Sequence, residues 1–213
     1  MKEDKRFAVL IDADNVSDKY VKLIFNELSN DGIITYKRIY GDWTKPSLNS
    51  WKNILLDYSI TPIQQYGYTT GKNATDSAMI IDAMDILYTG NVEGFCIVSS
   101  DSDFTRLASR LREAGKFVIG MGEKKTPSAF VAACNKFKYL EVLAKSAENP
   151  EEGRVDSTTE VIDSLQAVIT PLTTVKDTIL SIAEEASDES GWSPLSVVGN
   201  ILQKRFPAFD VRN

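Results

Sequence analysis

With 213 residues and no histidine, the chain cannot build a Ser-His-Asp triad, a histidine zinc site or a histidine-based nuclease, because the most frequent general base and the commonest transition-metal ligand are both missing. Its 43% hydrophobic content suffices for one full α/β domain with a small appendage, and neither a bilayer-spanning apolar run nor a secretory signal is expected from a chain that starts MKEDKRFAVLIDADN. The net charge of −6 is uneven, 19 Lys and Arg against 18 Asp and Glu over residues 1–145 but 5 against 12 over 146–213, so the acidity belongs to the tail and says little about what the first part meets.

In chain order, Phe7 to Ile11 is a compact apolar strand that ends in acids, with LIDADN placing Asp12, Asp14 and Asn15 at its exit. Ser17 is expected to cap a helix with Val21, Ile24, Phe25 and Leu28 on its apolar face, closed by Gly32. Ile33 to Tyr40 reads as a second strand, followed by YGDW at 40–43, and Pro46-Ser47 opens a helix carrying Trp51, Ile54, Leu55 and Tyr58 on one face. A third strand, Ile60 to Tyr66, leads through Gly67-Tyr68-Thr69-Thr70-Gly71-Lys72-Asn73 to a helix from about Thr75 to Tyr88 with Ile80, Ala83, Met84 and Leu87 inward. Residues 95–99 form a buried strand, and Phe104, Leu107, Ala108 and Leu111 then recur at the spacing of one helix face. Gly115 ends that helix, Lys116 to Met121 is a fifth strand, Thr126-Pro127 starts a short helix, and Phe137 to Val142 is read as a sixth, edge strand. Strands alternating with helices predict an open, doubly wound, mainly parallel sheet covered on both sides, with strand order near 3-2-1-4-5. Cys96 and Cys134 fall in apolar segments, which predicts buried free thiols and a cytoplasmic protein.

After Lys145 the character changes. SAENPEEGRVDSTTEVID is polar, acidic and weakly periodic, as a solvated linker is. A helical pattern resumes with Val175, Ile179, Ile182, Ala183 and Ala186, and Ser193-Pro194 opens another helix with Leu195, Val198, Ile201 and Leu202 on one face. The chain therefore divides into residues 1–145, a linker at 146–174 and a helical segment at 175–213, the last too small to stand alone.

On such a sheet the acids converge. Neighbouring first and fourth strands bring Asp12 and Asp101 out at the same carboxyl edge, where open α/β sheets bind ligands. Asp76 opens a helix that starts at that edge, while Asp14 and Asp103 each lie two residues beyond the primary acid. Ser100 or Asp101 alone reads as an N-cap, with Asp14 and the others as scattered surface acids on the plainest view. Two carboxylates at one cap repel unless a cation separates them, and with oxygen as the only ligand type Mg²⁺ or Mn²⁺ is favoured. Such a site suits hydrolysis of a phosphodiester without histidine.

These residues carry a resemblance. LIDADN at 10–15, GKNATDSAMIIDAMDILY at 71–88 and SSDSDFTRLASRLREAGKFVIGMG at 99–122 resemble the NYN domain in its LabA-like branch, a relative of the PIN nucleases, over roughly residues 6–143. The resemblance implies a Mg²⁺- or Mn²⁺-dependent ribonuclease fold in which Asp12, Asp76, Asp101 and Asp103 are the catalytic and metal-binding acids, Asp14 is an outer ligand and Asn15 meets the substrate. Asp82 and Asp85 lie six and nine residues beyond Asp76 on one helix, which turns them away and marks them as structural. The tail, ILSIAEEASDESGWSPLSVVGNILQKRFPAFDVRN, resembles the start of an OST-HTH/LOTUS domain, which implies RNA or protein partners for residues 175–213.

Phosphate must also be met by positive charge or backbone donors. Lys72 and Asn73 stand just before the helix of Asp76, so Lys72 is placed to reach a phosphate, although the loop is no P-loop, since three residues separate Gly67 from Gly71 and Asn73 replaces the required Ser or Thr. Trp43, Tyr66 and Tyr68 follow strands at the same edge and are candidates to stack on unpaired bases. Arg106, Lys124 and Lys125 are weaker candidates, as a loop lysine is usually just solvated. The reading is an endoribonuclease acting on single-stranded RNA, with no membrane partner and a homo-oligomer left open. The alternatives are a regulatory RNA-binding protein with a slow or inactive site, and a haloacid-dehalogenase-type phosphatase with Asp12 as nucleophile.

Overall fold

Six strands form one all-parallel sheet in the order β3-β2-β1-β4-β5-β6. They are β1 (Arg6–Asp12), β2 (Ile33–Gly41), β3 (Thr61–Gln64), β4 (Gly94–Val98), β5 (Phe117–Gly122) and β6 (Lys136–Tyr139). The computed structural model describes residues 4–66, 74–148, 172–185, 192 and 194–207; the loop holding Tyr68, Lys72 and Asn73 and most of the expected linker lie outside them. The chain winds outward from β1 to β3, returns to the other side of β1 and continues to β6, so the topological switch falls between β1 and β4. The expected order is recovered, and a sixth strand forms the edge beyond β5, but it ends at Tyr139: Leu140 to Val142, expected in the strand, open the helix Leu140–Glu148.

Alternation along the strands builds a layer on each face. Ala8, Leu10, Phe95, Ile97 and Val118 point to one side, where they meet α3 (Ala74–Thr89), α4 (Thr105–Glu113) and α5 (Ser128–Ala133). Phe7, Val9, Ile11, Cys96, Val98, Ile119 and Met121 point to the other, against α1 (Val21–Ser29), α2 (Trp51–Asp57) and α6 (Leu140–Glu148). The central strands are buried on both faces, which is why they read as continuous apolar runs rather than as alternating ones. Gly115 ends α4 with φ +77 in the left-handed region, as a helix stop there requires. Gly120 in β5 is needed for space, because a Cβ there would meet the Phe137 ring at 2.4 Å and Cys134 Sγ at 2.7 Å.

Two caps differ from expectation. Ser17 makes no capping bond; a 3-10 turn, Asp18–Tyr20, precedes α1, and the Ser17 hydroxyl donates to Asp18 Oδ1 at 3.2 Å. Pro46 likewise opens a 3-10 turn, Pro46–Leu48, rather than α2 itself. In both places a proximal turn satisfies the backbone before the α-helix begins.

The C-terminal part holds α7 (Leu172–Glu185) and α8 (Leu195–Arg205), packed on one another through Ile182, Val198 and Leu202. Leu195, expected on the inner face of α8, is 85% exposed at the first position after the Pro194 cap and takes no part in the Ile182, Val198 and Leu202 contact. The backbone N–H of Phe137 on the outer edge of β6 donates to the Pro207 carbonyl at 2.6 Å, so the end of this unit touches the sheet. No described helix is long and apolar enough to cross a membrane.

Candidate functional site

The switch point delivers the acids to one edge. β1 and β4 run in register with Ile11 opposite Val98, which sets Asp12, at the end of β1, opposite Ser99. The Ser99 hydroxyl donates to Asp12 Oδ2 at 2.8 Å and accepts from the backbone N–H of Asp101 at 3.0 Å. Asp12 Oδ1 accepts from the Asp14 N–H at 3.1 Å. Both carboxylate oxygens of Asp12 are therefore engaged, and the residue is only 3% exposed. Burial pushes its carboxyl up to about 6; the Ser99 hydrogen bond works against this rise, and the charges of Asp76 and Asp14 add to it.

Three further acids bring their oxygens together. Asp101 caps the 3-10 turn Ser102–Phe104, accepting the Asp103 N–H at 2.9 Å through Oδ1. Asp76 sits in the first turn of α3, whose N-terminus points at the same edge. Among the described residues, Asp76, Asp101 and Asp103 each offer a carboxylate oxygen within 4.8 Å of the others. Burial raises the Asp76 carboxyl, and the charges of Asp101, Asp103 and Asp14 raise it further. The capping role expected for Asp101 is thus real, and it aims the acid at its two neighbours as well.

The other sequence candidates separate by their partners. Asp14 stands outside the trio: Lys45 Nζ lies 2.9 Å from its Oδ1, and the Thr75 hydroxyl donates to its Oδ2 at 3.2 Å. Asn15 Oδ1 accepts from the Ser100 N–H at 3.3 Å, and the Ser100 hydroxyl accepts from the Glu123 N–H at 2.8 Å; Asn15 and Ser100 thereby tie the exits of β1, β4 and β5 together. Trp43 is half-buried against the core, with its indole N–H donating to the Ile63 carbonyl at 3.1 Å, while Tyr66 is 54% exposed. Arg106 pairs loosely with Glu113 at 3.7 Å and Lys125 with Glu123 at 2.9 Å; the Lys124 backbone donates to the Glu141 carboxylate at 3.0 and 3.1 Å. Asp82 binds Arg38 and the Tyr40 hydroxyl, in keeping with its structural reading, and Asp85 is exposed.

Sequence reasoning missed Ser99 and Lys45. A signal existed for Ser99, since a hydroxyl at the end of a fully buried strand needs a partner and Asp12 ends the neighbouring strand. Lys45 gave none: its pairing with Asp14 spans 31 residues and depends on how β1 and β2 lie together.

The donor set suits a hard divalent cation. The trio offers carboxylate oxygen alone, the chain has no histidine, and burial pushes the Cys134 thiol up to about 12 and the Cys96 thiol higher still, so no soft ligand competes.

The NYN domain model matches residues 6–141. No curated protein matches the chain. Among solved structures, a protein of unknown function from Vibrio parahaemolyticus is similar at 17% identity and TM-score 0.55, with 65% of this chain and 94% of that chain covered; the likeness shows the fold alone. The WlbA dehydrogenase from Bordetella pertussis, at 15% identity and TM-score 0.35 over 72% of this chain and 42% of that chain, is too distant to carry an argument.

Proposed function

Because the chain belongs to the NYN domain family, a PIN-like nuclease family, we propose that it is a divalent-metal-dependent endoribonuclease that hydrolyses phosphodiester bonds of single-stranded RNA. The observation that carries this is the convergence of Asp76, Asp101 and Asp103 at the switch point of the sheet. These three would hold Mg²⁺ or Mn²⁺, with the charge of Asp12 interacting with that of Asp76. A cation bound there supplies a lowered water pKa and charge for the phosphodiester oxygens.

The chain's own residues prepare the site. Ser99 fixes Asp12 through one oxygen and the Asp101 backbone through the other side of its hydroxyl, so the two strand exits hold a constant separation. The Asp103 N–H orients Asp101, and the Asn15–Ser100–Glu123 chain of hydrogen bonds keeps the three loops from parting. Groups already oriented add no reorganisation cost when substrate arrives. The phosphatase alternative asks Asp12 to be an attacking nucleophile, a poor match for a carboxylate buried with both oxygens hydrogen-bonded.

The finer assignments rest on motif. LIDADN and SSDSDF support the LabA-like branch, and the two-helix unit after residue 171 supports an OST-HTH/LOTUS-like segment that adds affinity or partner choice without taking part in the chemistry. Titrating Mn²⁺ against labelled single-stranded RNA tests the whole reading. Internal cleavage that rises with Mn²⁺ and vanishes with chelator is expected, and a chain ending at Glu148 should keep the rate at saturating RNA while losing apparent affinity. RNA binding with no cleavage at any Mn²⁺ concentration would instead favour the regulatory RNA-binding alternative. A folded, soluble truncation with no turnover would place the tail in the active site.

A further inference from the structure

We infer that RNA leaves the acidic cluster across the loop between β2 and α2, with the Lys45 ammonium binding the phosphate next to the one being cut. The inference rests on the nuclease reading for its substrate class, and it assigns a role to a residue outside the acidic motifs.

The loop is built to present that ammonium. Asp42 Oδ1 accepts from the Thr44 N–H at 3.2 Å, the Thr44 hydroxyl at 2.6 Å and Gln64 Nε2 at 3.0 Å. Gln64 Oε1 in turn accepts from the Trp43 N–H at 2.9 Å, and the Lys45 N–H closes a turn onto the Asp42 carbonyl at 2.9 Å. Gln64 lies on β3, so the loop is bolted to the sheet, and Lys45 enters the Pro46–Leu48 turn in an extended conformation. Its side chain stays 47% exposed while its Nζ rests 2.9 Å from Asp14 Oδ1.

The partner is what distinguishes this lysine. Asp14 is tied to the cluster by geometry: its backbone N–H donates to Asp12 Oδ1 at 3.1 Å, and its Oδ2 accepts at 3.2 Å from the hydroxyl of Thr75, the residue before Asp76. Lys125, across the edge, pairs within its own loop with Glu123, and Arg106 pairs with Glu113 about two helix turns along α4. A cation beside the acids offsets the repulsion a polyanion meets there. An exposed ion pair is also a weak one, so the ammonium can move to a phosphate at little loss of stability.

Aromatic surface lies on the same side. Tyr66, just beyond β3, is 54% exposed, and Trp43 is fixed at both its backbone and its indole N–H. Bases of a single strand stack on such rings while an ammonium takes the backbone charge. On the β5–β6 side the aromatic at the same edge, Tyr139, is buried. Charge and stacking surface therefore coincide over β2 and β3.

The test compares Lys45→Met and Lys45→Arg, each in an Asp101→Asn background so that cleavage does not enter, by fluorescence anisotropy of a labelled single-stranded RNA at several salt concentrations. Lys45→Met should raise the apparent Kd about three- to ten-fold and flatten the slope of log affinity against log salt by about 0.7, the loss of one phosphate contact on a single strand. Lys45→Arg should restore most of both, with melting temperatures unchanged across the set. An unchanged Kd and salt slope in Lys45→Met overturns the inference, as does RNA binding too weak to detect in the background protein. A wild-type chain that binds RNA through Lys45 without cutting it keeps the path across this loop and the Lys45–phosphate contact, and removes the hydrolytic reading.

Discussion

Asp101→Asn should abolish RNA hydrolysis and leave the fold intact. Asparagine keeps the oxygen that caps the Ser102–Phe104 turn through the Asp103 N–H, so the backbone has no reason to move. What is lost is one unit of negative charge among three oxygens within 4.8 Å of one another. At about 4 Å and an effective dielectric of about 20, two unit charges interact by about 4 kcal/mol, and a divalent cation doubles that, enough to lower turnover by at least two orders of magnitude. The check is single-turnover cleavage at saturating Mg²⁺, with circular dichroism to confirm the fold. Wild-type rates in a folded variant would remove Asp101 from the site.

Asp12→Asn separates stability from function in the opposite directions. Burial is the main reason that the Asp12 carboxyl titrates at about 6 in the folded chain rather than at 3.8. The folded state thus binds that proton more tightly than the unfolded one, and in metal-free protein stability falls as pH climbs from about 4 to about 6 and stays low above. A rise of about two pKa units corresponds to about 3 kcal/mol, from which the variant loses part because asparagine cannot accept both the Ser99 hydroxyl and the Asp14 N–H in the same way. Metal-free Asp12→Asn should accordingly be about 1–3 kcal/mol more stable than wild type at pH 7–8 by urea unfolding in chelator, with the gap closing below pH 4, while its RNA cleavage is lost. A variant less stable than wild type at pH 8 would show that Asp12 is a satisfied structural acid without stored repulsion.

That contrast explains what could be read from the chain alone. The strand exits at Asp12 and Asp101, the helix start at Asp76 and the strand order followed from apolar runs and turns, because an all-parallel sheet leaves few alternatives once β1 and β4 are neighbours. The depth of Asp12 did not follow. Its burial depends on Ser99 closing over it from the neighbouring strand, a pairing fixed by register. Asp14 looked equivalent to Asp103 by spacing, each two residues beyond a strand-end acid, yet Asp14 pairs with Lys45 and Thr75 while Asp103 joins Asp76 and Asp101. Local turns were misplaced for the same reason: Ser17 and Pro46 have the chemistry of helix starts, and tertiary packing inserted a 3-10 turn at each.

Whether the switch-point acids hold a divalent cation is decided by anomalous diffraction from crystals soaked in Mn²⁺. A manganese peak is expected among the carboxylates of Asp76, Asp101 and Asp103, lost in crystals of Asp101→Asn. A peak at another acidic patch, or none among these three in crystals that diffract well and contain Mn²⁺, would contradict it.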